Sequence, residues 1–277
     1  MRKETENEVY DKYLAHPKHF GVVGRTSSGK SLLLRWLIDG LFDHGQIEVL
    51  FIVSETAQTD DEYTQWAEGR NNIILVNVRD AQWEVEDESA PSKGKKKKMT
   101  LIEACTDLNK TRKAKGQQQI KCCVLFDDVT GFFIDNGEDA KKLSGQITTA
   151  RHNNVRLIFS VHGVKAVMKP LIRDNLHTWI LPKNTSDRNL QSLAEHLGYN
   201  KHMYGKSINE MYTKIMYDQP DYSFMLIAAG SNLQFCVIRA PDPRGSAPTG
   251  SSLPGGKLPV LVSDVESGEE DHPQEVQ

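Results

Sequence analysis

The octet GRTSSGKS, residues 24–31, stands between the apolar run HFGVV at 19–23 and the stretch LLLRWLIDGLF that opens at residue 32. It matches G-x-x-x-x-G-K-[ST] without a mismatch, and its position between a strand and a helix limits the fold more than any other feature. In that context backbone N–H groups of Gly24, Arg25, Thr26, Ser27, Ser28 and Gly29 turn inward around phosphate oxygens. Lys30 then reaches the β- and γ-phosphates, the Ser31 hydroxyl ligates Mg²⁺, and the start of the helix adds its positive end. The expected ligand is a nucleoside triphosphate. A plain turn would give Lys30 no reason to stand at a dipole-positive helix start.

The other apolar runs fit the same architecture. EVLFIVS at 48–54, NIILVNV at 72–78, KCCVLF at 121–126, VRLIFSV at 155–161 and TWILP at 178–182 are short, rich in β-branched residues and do not alternate. Strands buried on both faces of a parallel sheet read this way, and the helix-length segments between them predict right-handed βαβ crossovers. Late in the chain YSFMLIAAGSNLQFCVIRA holds two apolar runs split by Gly230, Ser231 and Asn232, which predicts an antiparallel hairpin on the sheet edge. The fold class is therefore α/β, a mostly parallel central sheet flanked by helices with a C-terminal antiparallel hairpin.

A phosphate loop needs a carboxylate from a neighbouring strand to hold its metal. KCCVLFDD delivers Asp127 and Asp128 to the carboxyl end of a buried strand, where ligands of α/β folds bind. Asp127 is expected to hold Mg²⁺ directly or through water, and Asp128 to orient and deprotonate the attacking water. A solvated turn at a strand end is the plainer alternative. Guanine-specific enzymes use Asn-Lys-x-Asp, and NKTR at 109–112 lacks the acid, so ATP is the expected nucleotide.

Composition divides the chain further. Residues 1–17 read as a polar N-terminal arm, 18–240 as the ATPase domain, and 241–277, rich in Pro, Gly, Ser and acid, as a disordered tail. Inside the domain, 86–99 combines an acidic block with Lys93 and Lys95 to Lys98, and reads as a charged surface loop. Its lysines suit a nuclear localisation signal, a solvated loop or a contact to DNA phosphates equally well. With 38% hydrophobic residues, 26% charged and a formal net charge of -3, no global basicity announces nucleic acid. No apolar run is long enough to cross a bilayer and no signal-peptide core is visible, so cytosol or nucleus is expected, with no membrane partner. Cys105, Cys122, Cys123 and Cys236 show no metal-ligand spacing and read as buried reduced thiols.

Beyond the acids come ARHNN at 150–154, a strand ending in Ser-Val-His, and LIRDN at 171–175. Taken with GRTSSGKS and VLFDD in this order, residues 18–240 resemble the poxvirus-type DNA packaging ATPases of the FtsK/HerA superfamily. The resemblance implies a RecA-like P-loop NTPase sheet, a homo-oligomeric ring, and ATP-driven translocation of double-stranded DNA into a preformed capsid, with capsid or portal-region proteins as partners. It implies work in the host nucleus or cytoplasm at sites of virion assembly, or in the virion. Gly24, Gly29, Lys30 and Ser31 match the family's phosphate loop, and Asp127 and Asp128 its metal and water-activating acids. Where the family usually carries a glutamine that senses the γ-phosphate, this chain has His162. A histidine can donate one hydrogen bond to phosphate, and it can equally be a surface residue at a strand end. Arg151 and Arg173 are the candidates for an arginine finger reaching a neighbour's ATP, against the alternative of structural ion pairs. Two other functions fit the motifs: a P-loop ATPase with a helicase-like or secretion task, and a non-enzymatic assembly factor binding ATP as a structural ligand. Asp128 argues against the last, since a site that only binds needs no water-activating acid.

Overall fold

The computed structural model describes residues 2–4, 6–25, 28–86, 96–129, 137–164, 170–229, 233–242 and 260–262. In chain order the first half gives β1 (Arg2–Glu4), α1 (Glu6–Lys12), β2 (Phe20–Val23), α2 (Lys30–Asp43), β3 (Val49–Ser54), α3 (Asp61–Ala67), β4 (Ile73–Asn77), β5 (Gln82–Glu86), β6 (Lys96–Thr100) and α4 (Leu101–Ala114). The second half gives β7 (Cys122–Asp127), α5 (Gly137–His152), β8 (Val155–Val161), α6 (Pro170–Arg173), β9 (Thr178–Pro182), α7 (Asp187–Leu197), α8 (Lys201–Tyr204), α9 (Ile208–Met216), β10 (Ser223–Ala228), β11 (Gln234–Arg239) and β12 (Val260–Val262).

Ten strands form one sheet in the order β1-β12-β11-β10-β9-β2-β8-β7-β3-β4. Every pair from β9 to β4 is parallel, and the four strands beyond β9 are added antiparallel. This is the α/β architecture expected from the runs. The β10–β11 pairing is the expected hairpin, while its turn at Gly230, Ser231 and Asn232 lies outside the described residues. Alternate residues of a strand feed opposite faces: Val124 and Phe126 join the core under α4, α5, α7 and α9, whereas Cys123 and Leu125 join the core under α1, α2 and α3. A strand apolar on both sides is the result. On α2 the stripe Leu33, Leu34, Leu37, Ile38 and Leu41 is fully buried, and each such side chain contributes roughly 1.5–3 kcal/mol.

His19 pins the start of β2. Its Nδ1 accepts from the Leu157 N–H at 3.0 Å and its Nε2 donates to Ile147 O at 3.0 Å, so the ring is neutral and joins β2 to β8 and α5. Burial holds its pKa down to about 3, with the charges of Arg156 and Arg151 pushing the same way.

Three expectations about the edges change. Residues 1–17 are not a separate arm, because Val9, Tyr10, Tyr13 and Leu14 are buried against α2 and the sheet, and Arg156 donates to Leu14 O at 2.5 Å. The spacing 9, 10, 13, 14 is one face of a helix that composition concealed. The 86–99 stretch is in part a hairpin: β5 and β6 pair antiparallel with Glu84 opposite Lys98 and Glu86 opposite Lys96. Lys93 and Lys95 lie outside the described residues. Finally, Val260–Val262, expected in a disordered tail, pairs with β11 and β1, as an apolar β-branched triplet next to an open strand edge can. The remaining tail lies outside the described residues.

The packing of the N-terminal segment can be tested at Gly40. A Cβ there would sit 1.9 Å from the Tyr10 hydroxyl and 2.4 Å from its ring carbon Cζ. Gly40→Ala is therefore expected to lower stability by about 1–3 kcal/mol, read from urea unfolding. No loss would mean that Tyr10 does not pack on α2.

Candidate active site

Because β2, β8 and β7 run parallel and side by side, their carboxyl ends meet on one edge of the sheet. β8 lies between the strand that enters the phosphate loop and the strand that carries the acids. This placement brings Gly24, His162, Asp127 and Asp128 together. Two backbone hydrogen bonds fix the meeting: Gly24 N donates to Val161 O at 3.0 Å and Asp128 N donates to Ser160 O at 3.2 Å.

The two motif glycines are required for different reasons. A Cβ on Gly24 would lie 2.6 Å from Ser28 Oγ and 2.9 Å from the ring of Pro182, so the loop closes only without one. Gly29 has φ 81° and caps the N-terminus of α2, a left-handed conformation that costs glycine nothing. Lys30 follows and turns back into the loop, donating to Gly24 O at 2.5 Å and Arg25 O at 3.1 Å, with His162 Nδ1 at 3.4 Å. Burial lowers its pKa, while the charges of Asp127 and Asp128 pull it back up. Arg25 and Ser31 are exposed, Ser31 in the first turn of α2. Thr26 and Ser27 lie outside the described residues.

The adjacent acids face different partners. Asp127 Oδ2 accepts a hydrogen bond from the Tyr63 hydroxyl at 2.5 Å. Tyr63, on α3, is buried, and burial together with the Asp127 charge raises its pKa, so it remains a donor. Asp128 instead lies 3.0 Å from His162 Nε2. The divergence has a backbone cause: Asp128 has φ 51°, a left-handed turn that Asp tolerates better than most residues.

Tyr63 is the site residue the motifs do not reveal. A lone tyrosine in a helix reads as core, and its contact spans 64 residues of chain. α3 is tied to α2 as well, through Arg35–Glu62 at 3.0 Å and Trp66 Nε1, which donates to Asp39 at 3.2 Å. The turn after β8 is anchored by Asn189 on α7, which donates to His162 O at 3.3 Å and accepts from Val164 N at 3.4 Å.

Arg151 and Arg173 are not part of this constellation. Arg151 ends α5 just before β8, and its Nη1 donates to His177 Nε2 at 2.5 Å. That is the amino end of the sheet, one seven-residue strand or roughly 20 Å from the phosphate loop. Arg173 ends α6, beside His196, whose Nε2 donates to Arg173 O at 3.1 Å. Among the described residues neither arginine has a contact to a site residue of its own chain.

The site residues fit ATP and Mg²⁺. Ser28 Oγ is buried and has no hydrogen-bond partner among the described residues, and a phosphate oxygen would satisfy it. No cluster of three metal-ligating side chains occurs among the described residues. A hydroxyl and one carboxylate suit Mg²⁺, which keeps waters and takes its remaining ligands from phosphates. No helix among the described residues is long and apolar enough to cross a membrane.

The sequence matches no protein-family model and no curated protein. In fold the chain is similar to the DNA-packaging ATPase B204 of Sulfolobus turreted icosahedral virus, with a TM-score of 0.50 and 15% identity over 79% of this chain and 96% of that one. It is similar to the same degree to the genome packaging NTPase B204 of Sulfolobus turreted icosahedral virus 2 in complex with AMP, with a TM-score of 0.50, 16% identity, and 79% and 96% coverage. The cytoplasmic domain of the type VII secretion ATPase EccC of Thermomonospora curvata gives a TM-score of 0.45 at 14% identity, over 78% of this chain and 24% of that one. What the chain shares with the two B204 structures is the fold, a RecA-like P-loop ATPase sheet.

Proposed function

We propose that the chain is an ATP-hydrolysing motor that translocates double-stranded DNA into a viral capsid. The observation that carries the reading is the meeting of Lys30, His162 and Asp128 at the carboxyl ends of three parallel strands, with Asp127 held apart by Tyr63. Binding alone needs the loop and the lysine. A second acid, directed away from the first, is what hydrolysis needs.

Each residue has a task in this scheme. Gly24 to Gly29 wrap the phosphates with backbone N–H groups, and Lys30 stabilises charge on the transferring phosphoryl. Ser31 and Asp127 would hold Mg²⁺, which when bound neutralises charge on the phosphate oxygens. Asp128 takes the proton of the attacking water. A neighbouring copy in a ring would supply the cation that the site lacks, from Arg151 or Arg173. Among the described residues Arg151 meets a histidine and no carboxylate, which leaves its charge available to phosphate.

The packaging task is supported by the motifs ARHNN and LIRDN and by a fold that spans nearly the whole length of a viral packaging ATPase. Duplex DNA, capsid or portal-region proteins, and a place in the host nucleus, cytoplasm or virion belong to the same proposal. The test is ATP turnover of the full chain with and without duplex DNA of unrelated sequences, alongside oligomer mass. Turnover that rises several-fold with any duplex, in an oligomer, is the expected result. A monomer whose turnover ignores DNA would leave an ATPase with another task.

A further inference from the structure

A nucleoside triphosphate is a long ligand, and the acids set which end of it lies where. In the sheet β8 and β7 stand on one side of β2, and β9 and then β10 on the other. With Asp127 and Asp128 at the end of β7, the terminal phosphate belongs on that side, and the base leaves the phosphate loop toward β9 and β10. The register brings those two strands to the loop. Val22 pairs with Ile180 and Pro182 with Phe224, so the end of β9 and the start of β10 lie level with Gly24. The ring of Pro182 stands 2.9 Å from where a Cβ on Gly24 would be.

Tyr222, the residue before β10, has φ 60°. Glycine adopts this left-handed region freely, whereas a bulky side chain there is strained, and strain of this kind gathers at ligand clamps. Main-chain bonds to both neighbouring strands hold the turn: Ala240 N donates to Tyr222 O at 3.0 Å and Lys183 N donates to Ser223 O at 3.2 Å. The side chain continues the stripe of Phe224 and Leu226 in the core beside α2, but it stands past the end of the strand and is only partly buried. Its ring lies at the phosphate loop. A Cβ built on Gly29 would be 3.4 Å from Cδ1 and 3.7 Å from Cε1 of Tyr222, which is ordinary contact. An aromatic ring is thus set beside the start of α2 by a backbone conformation that aromatic residues avoid.

We propose that Tyr222 is the base-binding residue of the site, its ring stacking on the purine of the nucleotide whose phosphates fill the loop. The proposal deepens the ATPase reading above and rests on it. The loop, Lys30 and the two acids recognise a triphosphate and its metal, and leave the far end of the ligand to other residues. A tyrosine ring gives that end a flat apolar surface with a π-face, and with two side-chain torsions it loses little freedom on binding. Stacking is indifferent to the identity of the base, because every base has a π-face. Adenine and guanine are therefore held alike by this residue.

The experiment measures equilibrium binding of ATP, GTP and inorganic triphosphate, each with Mg²⁺, to the full chain and to its Tyr222→Ala, Tyr222→Phe and Lys30→Ala variants, with thermal melting to establish that each is folded. Tyr222→Ala is expected to bind ATP and GTP roughly tenfold to a hundredfold more weakly, and inorganic triphosphate as the wild type does. Tyr222→Phe should hold ATP within about threefold of wild type, since the ring remains. If Tyr222→Ala does not fold, Tyr222→Asn, a residue that tolerates the left-handed region, takes its place. Equal losses of ATP and triphosphate, no loss of either, or a loss in Tyr222→Phe as large as in Tyr222→Ala would overturn the stacking and leave the phosphate loop standing. Failure of the ATPase reading looks different: the wild type would bind neither ATP nor triphosphate, or Lys30→Ala would bind both as tightly as the wild type.

Discussion

Lys30→Ala is expected to abolish ATP turnover, by on the order of 10³-fold or more, and to weaken ATP binding at the same time. The lysine is the one cation that the described structure places inside the phosphate loop, and its ammonium is held between two loop carbonyls and an imidazole. Removing it leaves the transferring phosphoryl without the ammonium of the loop, and among the described residues neither Arg151 nor Arg173 of the same chain contacts the loop to replace it. The loop itself should loosen too, since Gly24 O and Arg25 O lose their donor. Phosphate release and equilibrium nucleotide binding check the two parts separately. Turnover at the wild-type rate would end the assignment of residues 24–31 as a catalytic phosphate loop.

The parallel strands could be read from sequence because burial on both faces leaves an unmistakable pattern. Runs at 48–54, 121–126, 155–161 and 178–182 each became a strand within a residue or two of the expected limits. Their order in the sheet is a different matter. These strands are all mostly apolar on both faces, so nothing local says that β8 lies between β2 and β7. Yet that order is what brings His162 to Lys30, across 132 residues of chain. Tyr63 was hidden for the same reason, since its partner is set by where α3 packs and not by any spacing. The edges went unread because composition masked periodicity. Polar residues around Val9, Tyr10, Tyr13 and Leu14 suggested an arm where there is a buried face, and a charged stretch suggested a loop where its two ends are paired strands. Adjacent acids at the end of β7 were legible as a pair. Their division of labour needed the positive φ at Asp128, which no motif states.

That division makes the second large effect. Asp128→Asn removes the proton acceptor while keeping size and hydrogen bonding, so turnover should fall by about 10²–10⁴-fold with ATP still bound. Asp127→Asn should behave differently, losing the Mg²⁺-dependent part of nucleotide affinity as well as turnover, because an amide is a poor ligand for a hard cation. Tyr63 supplies an internal check on which acid is which. Its hydroxyl donates to one oxygen of Asp127, the arrangement by which a neighbouring group orients a metal ligand. Tyr63→Phe should therefore weaken the Mg²⁺ dependence by roughly 10–100-fold, mimicking Asp127→Asn in part and Asp128→Asn not at all. The measurement is a Mg²⁺ titration of ATP binding and of turnover on all three variants. If Asp127→Asn and Asp128→Asn shift the titration equally, or Tyr63→Phe leaves it unmoved, the acids do not divide the work as their different partners indicate, and the tyrosine contact is packing alone.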